Sequence, residues 1–484
     1  MKTINRLFFL LVILAGFSSC NSSKDATNSI QPNIIYILAD DLGYGDVGFN
    51  GQSKFQTPNI DKLAANGMVF TQHYSGSTVC APSRSALLTG QHTGHTAIRG
   101  NKEVRPEGQY PLPDSTYTMA EMLQEAGYKT GVFGKWGLGY PGSEGDPNKQ
   151  GFNEFYGYNC QRLAHHYYPY HLWHNQTKVI LEGNKGAEQN DYAAELIHDK
   201  AMHFIETNKD DAFFMYYASP IPHAELLMPQ ENIDAFKGKL LPEKQYKGTD
   251  EGENYRQGPY GSQKDCHATF AAMVTLLDQQ VGEIVNKLNA FGIADNTIII
   301  FTSDNGPHQE GGADPDYFNS NAQFKGYKRD LYEGGIHVPM IAQWPGKIKP
   351  GSTTEHISAF WDVMPTIADM IGMDLQGDID GISFLPTLFG MSNQKKHDYL
   401  YWEFHEKGGR IAIRKDNWKA VKYNVLKQPE KSIELYDLST DPGETKNIAS
   451  DYPEIVIEMN RIMREARTES EVYQFAAPTY LNVD

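Results

Sequence analysis

Four cysteines in 484 residues are too few to build a fold on disulfides. Lys and Arg number 43 against 60 Asp and Glu, a formal net charge of −17. That balance argues against nucleic acid as a main partner, because phosphate binding depends on clustered basic residues; an anionic substrate would have to meet a locally basic pocket. Beyond Phe17 no apolar run approaches the roughly 20 residues that a membrane-spanning helix needs. There is no internal repeat, and no low-complexity tract beyond the polar stretch NSSKDATNS at 21–29. Hydrophobic residues make up 40% of the chain and aromatics 12%, which excludes disorder and collagen and, with the length, allows roughly two to four domains.

The N-terminal residues set Lys2 and Arg6 before an apolar run from Leu7 to Phe17, followed by Ser18, Ser19 and Cys20. This reads as a secretory signal over residues 1–19. Its end at a cysteine resembles a bacterial lipoprotein signal, in which that cysteine becomes the lipidated N-terminus; Phe17 departs from the usual aliphatic residue. Cys20 would then carry the anchor and residues 20–31 would form a flexible tether. The expected address is exported and membrane-anchored, periplasmic or at the cell surface. Cys160 and Cys266 are left either to pair or to remain separate buried thiols.

The remainder predicts an α/β fold. NIIYILADD, an apolar run from Asn33 to Leu38 ending at two carboxylates, reads as a buried strand. In TPNIDKLAANGMVF, Thr57 suits an N-cap, Pro58 a first helical turn and Gly67 a left-handed stop before the next strand. Helices near 118–126 and 193–207 each lead into a strand, a long helix from about Cys266 to Phe291 feeds NTIIIFTSDNG, and VPMIAQW supplies another strand. Such alternation implies a large, mostly parallel sheet sandwiched by helices, with ligands beyond the strand C-termini. From about residue 396 short strands and turns take over, then a helix near 453–467. The expected division is a catalytic domain over 32–395 and a smaller C-terminal antiparallel-sheet plus helix domain over 396–484.

Asp40 and Asp41 close one strand, and Asp304 and Asn305 close another. Adjacent buried carboxylates repel and lose hydration, so four oxygen ligands on neighbouring strands suit Ca²⁺ or Mg²⁺. In STVCAPSRSALLTG, Pro82 and Ser83 suit the opening of a helix that stops at Gly90, placing Cys80 at its N-terminus with Arg84 four residues on along the same face. Helix N-terminus and guanidinium together favour negative charge beside residue 80.

CAPSR followed by LTG resembles the signature of the type I, formylglycine-dependent sulfatases of the alkaline phosphatase superfamily. Further family motifs stand in the family's order: ADD at 39–41, GKW at 134–136, SPIPH at 219–223, SDNG at 303–306 and KRDLYEGG at 328–335. The resemblance covers nearly all of the chain after the tether. It implies hydrolysis of a sulfate ester, with Cys80 oxidised to formylglycine by a separate maturation enzyme and one Ca²⁺ held by Asp40, Asp41, Cys80, Asp304 and Asn305. The hydrated aldehyde would attack sulfur through one hydroxyl and expel sulfate through the other. Arg84 would hold the diol, Lys135 and Lys328 would bind sulfate oxygens, and His223 with Lys328 would protonate the leaving alcohol.

Two positions depart from the family pattern. GKWGLG has Gly137 where the family usually has a histidine that hydrogen-bonds formylglycine, and His165 and His166 are candidates to replace it. His337 stands where Arg is common, with a structural effect expected. Aromatic faces and imidazoles between His165 and His174 suggest a sugar-binding wall, and His92, His95, Arg99 and Asn101 follow the nucleophile helix closely enough to select the sugar. The expected substrate is a carbohydrate sulfate, on galactose or N-acetylgalactosamine of a glycosaminoglycan, mucin or algal glycan. Alternatives are a formylglycine phosphodiester or phosphonate hydrolase, and an inactive glycan-binding lipoprotein.

Overall fold

The structure, a computed structural model, describes residues 31–375 and 377–475. The signal over 1–19, Cys20 and most of the tether lie outside the described residues. The strands, in chain order, are β1 (Asn33–Ala39), β2 (Met68–Phe70), β3 (His73–Tyr74), β4 (Lys129–Lys135), β5 (Glu154–Tyr158), β6 (His171–His174), β7 (Thr177–Ile180) and β8 (Phe213–Ala218). They continue as β9 (Thr297–Ser303), β10 (Met340–Gln343), β11 (Ser352–Thr354), β12 (Ser358–Ala359), β13 (Leu400–Phe404), β14 (Arg410–Lys415), β15 (Trp418–Tyr423) and β16 (Glu434–Asp437). The large sheet runs β11-β2-β10-β9-β1-β8-β4-β5-β6-β7. Its centre, from β9 to β5, is parallel, while β10, β6 and β7 pair antiparallel.

Both faces of the sheet are covered, so its central strands are buried at nearly every position rather than at every second one. Ile35, Ile37 and Phe301 pack with α1 (Pro58–Ala65), α4 (Ala193–Thr207) and α5 (Cys266–Ala290). Ile34, Tyr36, Leu38 and Ile300 pack with α2 (Cys80–Thr89), α3 (Met119–Glu125) and α6 (Val363–Ile371) on the other side. Thr118 caps α3 with a capping box completed by Glu121. Two expectations in the first helix change. Thr57 makes no side-chain cap; its hydroxyl donates to Asp61 Oδ1 instead. Gly67 is no left-handed stop: a Cβ there would lie 2.5 Å from the Ala342 carbonyl oxygen, so it serves strand approach. Cys160 and Cys266 are separate buried thiols.

The four-stranded antiparallel sheet β13-β14-β15-β16 packs α7 (Pro453–Glu465) on one face through Met459, Ile462 and Met463. Its other face, with Trp402, Ala412 and Val421, covers Tyr74, Ala86, Leu331 and Ile336. A buried polar knot ties the two together. Lys419 Nζ lies 2.6 Å from Glu333 Oε1, Tyr74 Oη donates to Glu333 Oε2 at 2.6 Å, and the Glu333 N–H donates to Glu444 Oε2 at 2.7 Å. Glu333 follows Lys328 by five residues, so the knot anchors the segment that carries Lys328.

One lysine serves two buried carboxylates here. Burial, reinforced by Glu333, pushes Glu444 up to about 8, against the pull of Lys419. Folded Glu444 thus keeps its proton while the unfolded chain ionises above about 4.3, and stability drains away as pH rises from there to about 8. Glu444→Gln keeps the oxygen that accepts from Glu333 and removes the titration. Its Tm should match wild type near pH 4 and exceed it at pH 9; equal Tm at both would contradict the assignment.

Candidate active site

Parallel register brings the carboxylates together. Ala39 pairs with Ser303 at the ends of β1 and β9, so Asp40 and Asp304 emerge side by side, and the Asp304 N–H donates to Ala39 O at 3.0 Å. Asp41 takes a left-handed turn, φ 65°, and its N–H donates to Asp304 Oδ1 at 3.0 Å. Asn305 Nδ2 donates to Asp41 Oδ1 at 2.7 Å. Cys80 opens α2, with Sγ 3.2 Å from Asp40 Oδ1 and 3.9 Å from Asp41 Oδ1.

Three buried cations face these groups. Arg84, one turn along α2, directs Nε and Nη2 to Asp304 Oδ2 at 3.2 and 2.8 Å, and Nη1 to the Lys135 carbonyl. Lys135 ends β4 with Nζ 2.6 Å from Asp40 Oδ2 and 3.3 Å from Cys80 Sγ. Lys328 Nζ stands 2.7 Å from Asp41 Oδ2 and 2.9 Å from His223 Nε2. Burial alone raises the Asp40 carboxyl, but Lys135, Arg84 and Lys328 outweigh it and hold it well below the ordinary range. Burial would lower Lys328, yet Asp41, Cys80 and Glu310 hold it well above. Lys135 is raised likewise, against its burial, by Asp40 and Cys80.

His223 is neutral. Its Nδ1 donates to the Ala224 carbonyl, which leaves Nε2 to accept from the Lys328 ammonium. Burial and then Lys328 and Lys135 push its pKa well down. Its ring is sandwiched between His165, centroids 5.3 Å apart and 13° between planes, and His308, 5.6 Å and 17°. The His165 Nδ1 donates to the Gly258 carbonyl at 2.8 Å, and burial lowers that imidazole to about 3.

The donor set fits a hard cation. Asp304 is pushed up to about 7 by burial and by Asp40, the sign of carboxylates too close to ionise together. Asn305 Oδ1 is buried with no hydrogen-bond partner, and Asp40, Asp41, Cys80 and His223 each offer a ligand atom within 4.8 Å of one another. Asp40, Asp41, Asp304 and Asn305 would hold the ion through oxygen.

The nine residues Asp40, Asp41, Cys80, Arg84, Lys135, His223, Asp304, Asn305 and Lys328 thus lie in one cluster. The expected sugar contacts divide. His165 reaches the cluster, and Asn101 stands at the N-terminus of α2, where its Oδ1 accepts from the Ala81 N–H at 3.0 Å. Three others are engaged by groups of the protein. Arg99 is 3% exposed and is taken up by Glu403 at 3.1 Å and the Thr468 carbonyl at 2.8 Å. His95 pairs with Asp380 at 2.8 Å, and Asp380 is bonded to Gly90 at the far end of α2. His166 has both ring nitrogens engaged, Nε2 by the Gly258 N–H and Nδ1 by Glu225, so it braces a loop and does not replace a histidine at 137. His337 packs internally, with Nε2 2.9 Å from the Thr71 carbonyl oxygen.

Sequence reading missed Glu310, His308 and Tyr260. Glu310 lies 3.7 Å from Lys328 and 2.5 Å from Arg329, and accepts from Tyr260 Oη at 3.2 Å. Burial would raise its carboxyl, but Lys328 and Arg329 bring it down to about 2. Its place a few residues after SDNG was a usable signal; Tyr260, in a long loop segment, had none.

Residues 32–373 match the family described as Sulfatase, and residues 324–469 that described as N-sulphoglucosamine sulphohydrolase, C-terminal. The chain is 30% identical to the N-acetylgalactosamine-6-O-sulfatase of Bacteroides thetaiotaomicron, over 97% of this chain and 100% of that protein. It is 31% identical to arylsulfatase A of Homo sapiens, over 86% and 83%. Among solved structures, Ps i-CgsB in complex with k-i-k-neocarrahexaose superposes with a TM-score of 0.73 at 29% identity, covering 90% of this chain and 92% of that one.

Removing one partner of a fully buried ion pair leaves an uncompensated charge, at about 3–5 kcal/mol. Lys135→Met should cost that much in urea unfolding of cation-free protein. A loss below about 1 kcal/mol, the range of exposed pairs, would show that Asp40 and Lys135 are not locked together.

Proposed function

The chain belongs to the sulfatase family, and we propose that this sulfuric ester hydrolase removes sulfate from a carbohydrate, on a galactose or N-acetylgalactosamine unit of a glycosaminoglycan, mucin or algal glycan. What carries this is the charge balance around Cys80. With all of them ionised, Arg84, Lys135 and Lys328 offset Asp40, Asp41 and Asp304 one for one, so a bound divalent cation leaves the pocket net positive and able to attract a singly negative sulfate ester within an acidic protein. Relatives named for N-acetylgalactosamine-6-sulfate, and a similar structure holding a neocarrahexaose, support the sugar.

Residue 80 as formylglycine would be hydrated to a diol, and calcium held by Asp40, Asp41, residue 80, Asp304 and Asn305 would favour ionisation of one of its hydroxyls, the nucleophile. Lys135 and Lys328 bind the sulfate oxygens and stabilise the charge that grows on them. Arg84 keeps Asp304 beside residue 80. Lys328 holds the proton and His223 the adjoining lone pair, so the two together hand a proton to the departing alcohol oxygen. The host must supply a formylglycine-generating enzyme. Export and anchoring through Cys20 belong to the same proposal, supported by Lys2, Arg6 and the apolar run from Leu7 to Phe17.

Protein with verified formylglycine and calcium should release inorganic sulfate from one regioisomer in a panel of galactose and N-acetylgalactosamine sulfates, and Cys80→Ala should release none. Turnover of a phosphodiester or phosphonate alone would overturn the proposal. His223→Ala should slow a sugar sulfate by about 10²–10⁴-fold and an aryl sulfate far less, since a phenolate leaves without help. Equal losses on both would remove His223 from proton transfer.

A further inference from the structure

Just past the carboxyl ends of β4 and β5 stand Gly137, Asn159 and Gln161. The ladder between these strands continues beyond Lys135, with the Trp136 N–H bonded to Tyr158 O and the Gly137 N–H to Asn159 O. Gly137 has φ +79°, and a Cβ on it would stand 2.1 Å from Gln161 Nε2. The missing side chain at 137 is therefore what makes room for the Gln161 carboxamide. That carboxamide belongs to a residue only 8% exposed, and neither its nitrogen nor its oxygen has a hydrogen-bond partner. Asn159, fully buried, donates through Nδ2 to Glu107 O but leaves Oδ1 unpaired. Asn159 and Gln161 thus carry three unpaired polar atoms next to Gly137, which follows by two residues the lysine whose Nζ lies 3.3 Å from Cys80 Sγ.

Buried polar atoms left unpaired are costly, and such groups call for a partner that enters. Their chemistry says which. Sulfate oxygens only accept, so a sulfate would satisfy Gln161 Nε2 while facing the lone pairs of Gln161 Oε1 and Asn159 Oδ1. A hydroxyl both donates and accepts, and matches the carboxamide. We propose that Gln161, admitted by Gly137 and flanked by Asn159, binds a hydroxyl during the reaction, from the hydrated residue 80 or from the sugar ring. This rests on the proposed function. Gln161 has no titratable group, so it holds the hydroxyl in place and takes no proton from it.

Gln161→Leu and Gln161→Met keep the volume and remove both unpaired atoms. Matured variants and wild type are compared on the sugar sulfate and on 4-nitrophenyl sulfate, whose leaving group carries no ring hydroxyl. Loss of one neutral hydrogen bond predicts a fall of about three- to tenfold. A fall on both substrates assigns the hydroxyl to residue 80; a fall in kcat/KM on the sugar sulfate alone assigns it to the sugar. Tm should hold or rise in both variants, because no bond within the protein is lost. Unchanged kinetics on both substrates, or a Tm several degrees lower, would overturn the proposal. Wild-type rates report on the sulfatase chemistry, and variant-to-wild-type ratios on Gln161.

Discussion

Three carboxylates and three cations, all buried, meet at the carboxyl edge of one parallel sheet. Neither set survives without the other. Each buried charge would carry a penalty of several kcal/mol alone, and the opposing set offsets it only while the distances stay near 2.6–2.8 Å. Much of the surrounding structure can be understood as holding those distances. With all three carboxylates ionised the six charges cancel, so a divalent cation held there would leave the pocket net positive, and on the proposed function it would become a receptor for sulfate once the cation has entered.

The fold supplies these groups from several elements. Register between β1 and β9 aligns Asp40 with Asp304, β4 ends on Lys135, and the opening turn of α2 delivers Cys80 and Arg84 together. Lys328 is the exception, since it stands on a loop. The buried knot of Lys419, Glu333, Glu444 and Tyr74 joins that loop to the C-terminal sheet, so the smaller sheet helps to place a lysine of the charge cluster. Histidine stacking does similar work for His223, whose ring is held edge-on to Lys328 between two neutral imidazoles.

The groups legible in sequence are those set by local pattern. Asp40 and Asp304 follow apolar β-branched runs, and Cys80 precedes Pro82 and Arg84 in a helix opening, so residue order alone places the strand ends and the helix start. The large parallel sheet with helices on both faces and the antiparallel C-terminal sheet follow from the same periodicity. Side-chain partners across the fold are not legible. Arg99 and His95 lie close to Cys80 in sequence, yet Glu403 and Asp380, some 300 residues away, claim them. His166 looks equivalent to His165 in the sequence, and only the partners of their ring nitrogens tell them apart. A glycine at 137 gives no hint that Gln161 fills the space above it.

The coupling between cation and anion tests the central claim most directly. Inorganic sulfate, the product, can be titrated calorimetrically into the matured protein with calcium present and again with calcium chelated. Affinity should be much higher with calcium, and by linkage sulfate should tighten calcium binding by the same factor. Equal sulfate affinity in both titrations would mean that the cation does not turn a charge-balanced pocket into a sulfate receptor.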